Sequence, residues 1–439
     1  MSFNLWERKK APSKIYRRRQ PEKNDLYRLV YHNLETLEQT WVENYQDKYG
    51  CYRDTARDGF TRYLDCGLLA HGCAKAQCEN PECNHSELIA FSCKRRGLCP
   101  SCTMKRGIIF AETLNEDVLE EVPHRHIVFT IPIRLRAYFR YDRKLYKLLF
   151  KAAWTVLRET FGVVFPEGHP GCVMALESAG SEINFHPHIH TICTDGVIMP
   201  DGSFSVLGNW DAESLTALFE HCVYKFLKAQ GLLSDTLIAQ LRSYQTSGFS
   251  VWVGPEIRAD DTEARLFLSQ YLTKCPVMLS RMSIERKDGS DVVRYTSDKG
   301  SKEFSPLDFM AALSAHIPNK FEQTIRFVGT YSARSRGKRL AEEANALSQD
   351  SSYSPLPASN VEPPSKRAVS KSWARLIKKI YEVDPLICPK CGSAMKIKAF
   401  ITKTSEVARI MANLQLPNFH PPPALLTAEK SDPHYWDAA

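Results

Sequence analysis

The segment Phe185-His186-Pro187-His188-Ile189-His190-Thr191-Ile192 constrains the fold more than any other part of the chain. Its residue types are those of a β-strand, and a strand sends successive side chains to opposite faces. His186, His188 and His190 therefore share one face, while Phe185, Pro187, Ile189 and Thr191 take the other. Gathering three imidazoles on one surface is costly as mere packing, through desolvation and, when they are protonated, through repulsion. A divalent cation removes that conflict. A rigid strand fixes two neutral nitrogens at a separation that one ion bridges, and its open positions accept a substrate oxygen. The pattern points to a catalytic metal site rather than a closed structural one.

Two further strands are expected, at residues 126–131 and 171–177. Turn chemistry in Ser178-Ala179-Gly180-Ser181 makes the second of them an antiparallel partner of the histidine strand. Helical periodicity marks residues 25–64, with a break near Gly50, and residues 111–122, 142–161, 213–230 and 261–274. The last of these helices carries Ala264, Phe267, Leu268 and Tyr271 on roughly one side and ends before Pro276. A Ser- and Pro-rich stretch without apolar periodicity reads as a linker. No repeat of fixed period is present.

The fourteen cysteines are concentrated in a way that matters more than their number. The chain is too long and varied for a small disulfide scaffold, and its first residues lack the apolar run of a signal peptide. With no apolar stretch of the ~20 residues a membrane span requires, a cytoplasmic chain with reduced thiols is expected. Clustered cysteines there are better explained by zinc. Cys78-x4-Cys83 and Cys99-Pro100-Ser101-Cys102 are two pairs separated by fifteen residues, a spacing that places four thiolates around one Zn²⁺. Cys78, Cys83, Cys99 and Cys102 are therefore the expected ligands, with Cys93 and Cys66 in reserve. A second turn, Cys388-Pro389-Lys390-Cys391-Gly392, has no downstream partner pair and would need ligands from elsewhere in the fold.

Lys and Arg outnumber Asp and Glu by only 58 to 50, but the positive charge is clustered. Lys94-Arg95-Arg96, following the cysteine pair, and Arg334 with Arg336 are candidate phosphate contacts. A binuclear metallohydrolase would add an Asp-His pair after the histidine strand, whereas Thr191-Ile192-Cys193-Thr194-Asp195-Gly196 supplies no further histidine. The non-enzymatic alternative is a zinc-dependent nucleic-acid-binding protein whose histidines hold a structural ion.

A resemblance narrows these alternatives. Tyr63-Leu64-Asp65-Cys66-Gly67, Ser92 through Cys102, Val122-Pro123-His124 with His126 through Pro132, Asn184 through His190, Ser247 through Val251, Tyr271 through Pro276, and Asp384-Pro385-Leu386 with Cys388 through Gly392 run in one order. Together they resemble the HUH rolling-circle transposases of the insertion sequence ninety-one type, including those of common-region elements. The resemblance implies an α+β fold, with an HUH endonuclease central antiparallel sheet and flanking helices behind a zinc-binding finger domain. It implies that His188 and His190 are the HUH metal pair for Mg²⁺ or Mn²⁺, Glu177 the third ligand, and Tyr271 the nucleophile on single-stranded DNA at transposon ends and target. His186 then becomes a neighbour that packs nearby or contacts substrate. Where the insertion-sequence branch carries a second tyrosine, four residues on, this chain has Cys275. One nucleophile is therefore implied. Plasmid relaxases and replication initiators share this chemistry and are the rival enzymatic reading. The implied setting is the nucleoid of a prokaryotic cell, with a host helicase as partner. The expected divisions are a basic arm (1–24), a helical and zinc-binding domain (25–110), the catalytic domain (111–345), the linker (346–372) and a C-terminal module with the Cys-x-x-Cys turn (373–439).

Overall fold

The computed structural model describes residues 19–349, 386–417 and 419–422. Most of the basic arm and of the Ser/Pro-rich linker lies outside them. Among the described residues no helix is long and apolar enough to cross a membrane.

Near the start of the described residues stand three helices, α1 (Asp25–Asn44), α2 (Gln46–Tyr49) and α3 (Asp54–Leu64). Asn24 caps α1 by accepting a hydrogen bond from the Tyr27 amide at 2.7 Å. The break falls at Gly50, whose φ of +78° suits a residue without a Cβ. A hairpin follows, β1 (Cys73–Cys78) and β2 (Ser86–Ala90), and then α4 (Pro100–Asp117). This helix starts earlier than its apolar pattern suggests, because Pro100 in the first turn carries the preset φ that begins a helix directly after Cys99.

Next come β3 (His124–Thr130), α5 (Arg136–Tyr141), α6 (Tyr146–Val164), β4 (Gly171–Ala179), β5 (Phe185–Thr194), the small strands β6 (Gly196–Ile198) and β7 (Phe204–Val206), α7 (Ala212–Lys228), α8 (Asp235–Arg242), β8 (Ser250–Ile257) and α9 (Thr262–Tyr271). A three-stranded sheet, β9 (Met282–Lys287), β10 (Ser290–Ser297) and β11 (Gly300–Phe304), leads to α10 (Pro306–Ser314), β12 (Ile325–Gly329) and α11 (Ala333–Gln349). The described C-terminal residues form β13 (Met395–Ile401) and α12 (Thr404–Asn413).

The centre is a five-stranded sheet in the order β12-β4-β5-β3-β8, antiparallel throughout. The histidine strand is its middle member. The architecture is α+β: a central antiparallel sheet with flanking helices, and an N-terminal domain carrying cysteine clusters. On one face of the sheet Ile127, Phe129, Met174, Leu176 and Ile189 pack against Leu149, Ala153 and Val156 of α6 and Phe219 and Val223 of α7. On the other face Val173, Ala175 and Ile192 meet Leu114 of α4 and Leu268 and Leu272 at the end of α9. The strand alternation of β5 thus gives one face to the core and the other to α9, the helix that carries Tyr271.

The hydrophobic cores do not divide at residues 110 and 345. Leu26, Leu29, Phe60 and Leu98 share a core with Val277, Tyr295, Phe309, Met310 and Leu313. Residues 277–317 therefore leave the central sheet to cover the N-terminal helices. Strand β13 pairs with β1, which places Met395–Ile401 in a three-stranded sheet with the N-terminal hairpin.

Candidate active site and cysteine clusters

Strand register assembles the site. Glu177 on β4 lies opposite His188 on β5, and Ala175 lies opposite His190, so all three polar side chains leave the same face. One Glu177 oxygen is 3.8 Å from His188 Nε2 and 3.5 Å from His190 Nε2. The candidate ligand atoms of the three residues all lie within 4.8 Å of one another.

The protonation pattern suits a cation. His188 Nδ1 is 2.6 Å from the His186 carbonyl, so it donates there and leaves the Nε2 lone pair free. His190 Nδ1 is 2.9 Å from His126 Nε2, a hydrogen bond that holds the ring in place. Burial holds the pKa of His188 down to about 3 and that of His190 lower still. Both rings are therefore neutral, as metal ligands must be. His190 Nε2 and the second Glu177 oxygen are buried without a hydrogen-bond partner. A buried ring nitrogen left unpaired beside a carboxylate costs free energy unless a cation takes it, so the residues fit a divalent ion. Burial also raises the Glu177 pKa, against the opposing pull of Lys274.

Tyr271 stands at the last turn of α9, with its ring centroid 5.1 Å from that of His190. Lys274 Nζ donates to Tyr271 Oη at 2.7 Å and to the Glu177 carboxylate at 2.8 Å. A single ammonium thereby joins the tyrosine to the His/Glu group. Cys275 points away, its Sγ 3.7 Å from the Leu98 carbonyl. His186 is half-buried beside His188, with ring centroids 5.0 Å apart, and stands outside the group of three. His126 and Lys274 had no assigned role in the sequence. His126 lies two strands from Glu177 and Lys274 lies beyond the helix, so only tertiary contact reveals them.

Exposed aromatic rings border the tyrosine. Trp252 on β8 is half exposed and sits edge-on to His126 at 5.3 Å, and Phe267 stacks one turn before Tyr271 at 6.5 Å. The candidate basic residues divide. Lys94 is exposed, but Arg95 is paired with Asp58 at 2.6 Å. Arg96 donates to the Glu322 carbonyl at 2.9 Å, which makes it a strut between the cysteine region and residues 319–324. Arg334 is exposed, and Arg336 lies over the Phe327 ring at 5.7 Å.

The structure does not bring Cys78 and Cys83 to Cys99 and Cys102. Cys99 and Cys102 instead meet Cys66 and Cys93, with Cys66 Sγ 3.7 Å from Cys99 Sγ and 3.6 Å from Cys102 Sγ. Cys78 and Cys83 meet Cys388 and Cys391 in a second group. The physical reason is strand pairing: β1 runs away from the start of α4 and binds β13, carrying Cys78 to the C-terminal turn. In the first group, hydrogen bonds from Cys102, Cys93 and Cys99 hold the Cys66 thiol well below its ordinary pKa.

Two family models match the chain. Residues 37–131 match one described as a transposase zinc-binding domain, of the IS91 type, and residues 171–339 match another described as a transposase. The chain is 26% identical over 391 residues to the transposase for insertion sequence element IS801 of Pseudomonas savastanoi pv. phaseolicola, covering 84% of this chain and 89% of that protein. A Sinorhizobium fredii protein with a transposase name, y4qJ, is 27% identical over 166 residues, which are 37% of this chain and 40% of that one. No solved structure matches. The first matched segment holds Cys66, Cys93, Cys99 and Cys102, and the second holds Glu177, His188, His190 and Tyr271. The protein belongs to the IS91-type transposases, with their zinc-binding domain placed ahead of the central sheet.

Proposed function

We propose that this transposase cuts one DNA strand with Tyr271, forming a 5′-phosphotyrosine and a free 3′-hydroxyl, and rejoins the strand elsewhere in rolling-circle-type transposition. The observation that carries the reading is the Lys274 ammonium, within hydrogen-bond distance of both Tyr271 Oη and Glu177. It sets the nucleophile against the His188/His190/Glu177 group. The Oη–P bond forms as the P–O3′ bond breaks; the phenol gives up its proton and the departing 3′-oxygen takes one up. The phosphotyrosine conserves the energy of the phosphodiester, so attack by a new 3′-hydroxyl regenerates the tyrosine.

When bound at His188, His190 and Glu177, Mg²⁺ or Mn²⁺ supplies neutralisation of charge on a non-bridging phosphate oxygen. Lys274 orients Oη and offers positive charge to the phosphate, and His126 holds the His190 ring. The substrate is a single strand at the transposon ends and target, delivered with a host helicase. Trp252 and Phe267 offer stacking surfaces for its bases, and Lys94, Arg334 and Arg336 offer charge for its phosphates. Cys66, Cys93, Cys99 and Cys102 hold a structural Zn²⁺ in place of the set read from spacing. With Cys275 where a second tyrosine would stand, one nucleophile serves both steps.

The test is a labelled single-stranded oligonucleotide from a transposon end, incubated with Mg²⁺ and resolved on a denaturing gel. The wild-type protein should carry a covalent label, and Tyr271→Phe should bind the same oligonucleotide but carry none. A label that persists in Tyr271→Phe removes the tyrosine from this role.

A further inference from the structure

The second cysteine group is independent of the Tyr271 site, and two of its members, Cys388 and Cys391, lie outside both family-matched segments. We propose that Cys78, Cys83, Cys388 and Cys391 bind one Zn²⁺ at a site built from two distant segments, and that this ion fastens the C-terminal module to the N-terminal domain.

The geometry is that of an incipient tetrahedron. Cys78 Sγ lies 3.4 Å from Cys391 Sγ, Cys83 Sγ lies 3.6 Å from Cys388 Sγ, and all four sulfurs are within 4.8 Å of one another. Four thiolates at about 2.3 Å from one zinc ion are about 3.8 Å apart, so little movement is required. Without an ion the contacts between these sulfurs are weak hydrogen bonds between thiols.

The two turns that present the thiols are built alike, although their spacings differ. In each, the amide of the first cysteine donates to the carbonyl two residues after the second: Cys78 to His85 at 2.8 Å, and Cys388 to Ser393 at 2.8 Å. In each, the residue after the second cysteine is left-handed, Asn84 with φ +47° and Gly392 with φ +73°. Asn and Gly are the residue types that adopt this conformation most readily. The Glu79 amide donates across the junction to the Ala394 carbonyl at 2.9 Å, and Cys78 is in register with Met395 where β1 meets β13. Two like turns facing each other at the end of a shared sheet form a zinc ribbon. Here its halves are 305 residues apart across the Cys83–Cys388 pair.

Docking the C-terminal module on β1 costs conformational entropy that three strands and a small apolar cluster must otherwise offset, and ligation binds only the docked form. Attachment of the C-terminal module is therefore conditional on metal.

Full-length protein loaded with Co²⁺ tests the site, because thiolate-to-cobalt absorption reports sulfur ligands and is blind to His188, His190 and Glu177. Wild type should show two equivalents of tetrathiolate cobalt, and Cys388→Ser/Cys391→Ser should show one. Cys391→His, at an exposed position, should keep two equivalents with one band shifted, which separates a ligand role from a folding defect. A protease site inserted within residues 356–366 of the full chain tests the fastening. After cleavage the C-terminal piece should stay bound in Zn²⁺ and leave on chelation, and the double serine variant should lose it in both conditions. A cobalt signal unchanged in the serine and histidine variants, or a C-terminal piece retained equally with and without metal, overturns the proposal.

Discussion

Lys274 shows how one side chain reconciles two demands at this site. Burial alone would strip its proton, but Glu177 and Tyr271 together keep its pKa above the ordinary lysine value, so a cation remains beside the carboxylate. His126 acts differently, because its hydrogen bond with His190 Nδ1 holds that ring with Nε2 toward Glu177. His126→Ala should weaken divalent-ion affinity about 10- to 100-fold, read by titrating Mn²⁺ against nicking rate, with zinc content unchanged. Away from the site, His124 is fully buried and within 2.6 Å of Tyr331 Oη, and burial lowers its pKa to about 3. A histidine depressed in the folded state binds fewer protons than in the unfolded chain. Stability should therefore fall as pH drops from about 6.5 toward 3, by up to about 1.4 kcal/mol per pH unit from this group. Urea unfolding at a series of pH values should show a shallower slope for His124→Gln.

At the scale of elements, β5 works because its two faces have unrelated partners. Phe185 and Ile189 enter the core under α6 and α7, and His188 and His190 face α9. A register slip of one residue would exchange these sets and bury the imidazoles in hydrocarbon. The pairing of β5 with β4 supplies Glu177 and its pairing with β3 brings in His126, so the middle strand of the sheet is the only place where both could be reached. The neighbours β8 and α9 expose Trp252 and Phe267 at the rim, where an apolar surface is costly unless a partner covers it. Trp252→Ala should weaken single-strand binding by about 1–3 kcal/mol, measured by anisotropy on an oligonucleotide. Binding unaffected by the change would remove Trp252 from the DNA path.

At the scale of the whole molecule, one hydrophobic core runs across residue 110. Phe309, Met310, Leu313 and Val277 are buried by α1, α3 and the cysteine region, and Arg96 ties that region to residues 319–324. A fragment of residues 111–345 should expose this surface and aggregate where the full chain does not, as size-exclusion chromatography would show. The sequence by itself determined what short-range geometry determines: the shared face of His188 and His190, the helix bearing Tyr271, the antiparallel return that sets Glu177 opposite the histidines, and cysteine turns that each fix two thiols. Tertiary structure decided which turn faces which, because the spacing within Cys78-x4-Cys83 or Cys99-x2-Cys102 shapes one pair and says nothing about where the next strand will dock. It likewise decided that His126 orients His190 and that Lys274 reaches Glu177. Those contacts join residues on different strands and helices, and only the closing of the sheet and the packing of α9 against it brings them within hydrogen-bond distance.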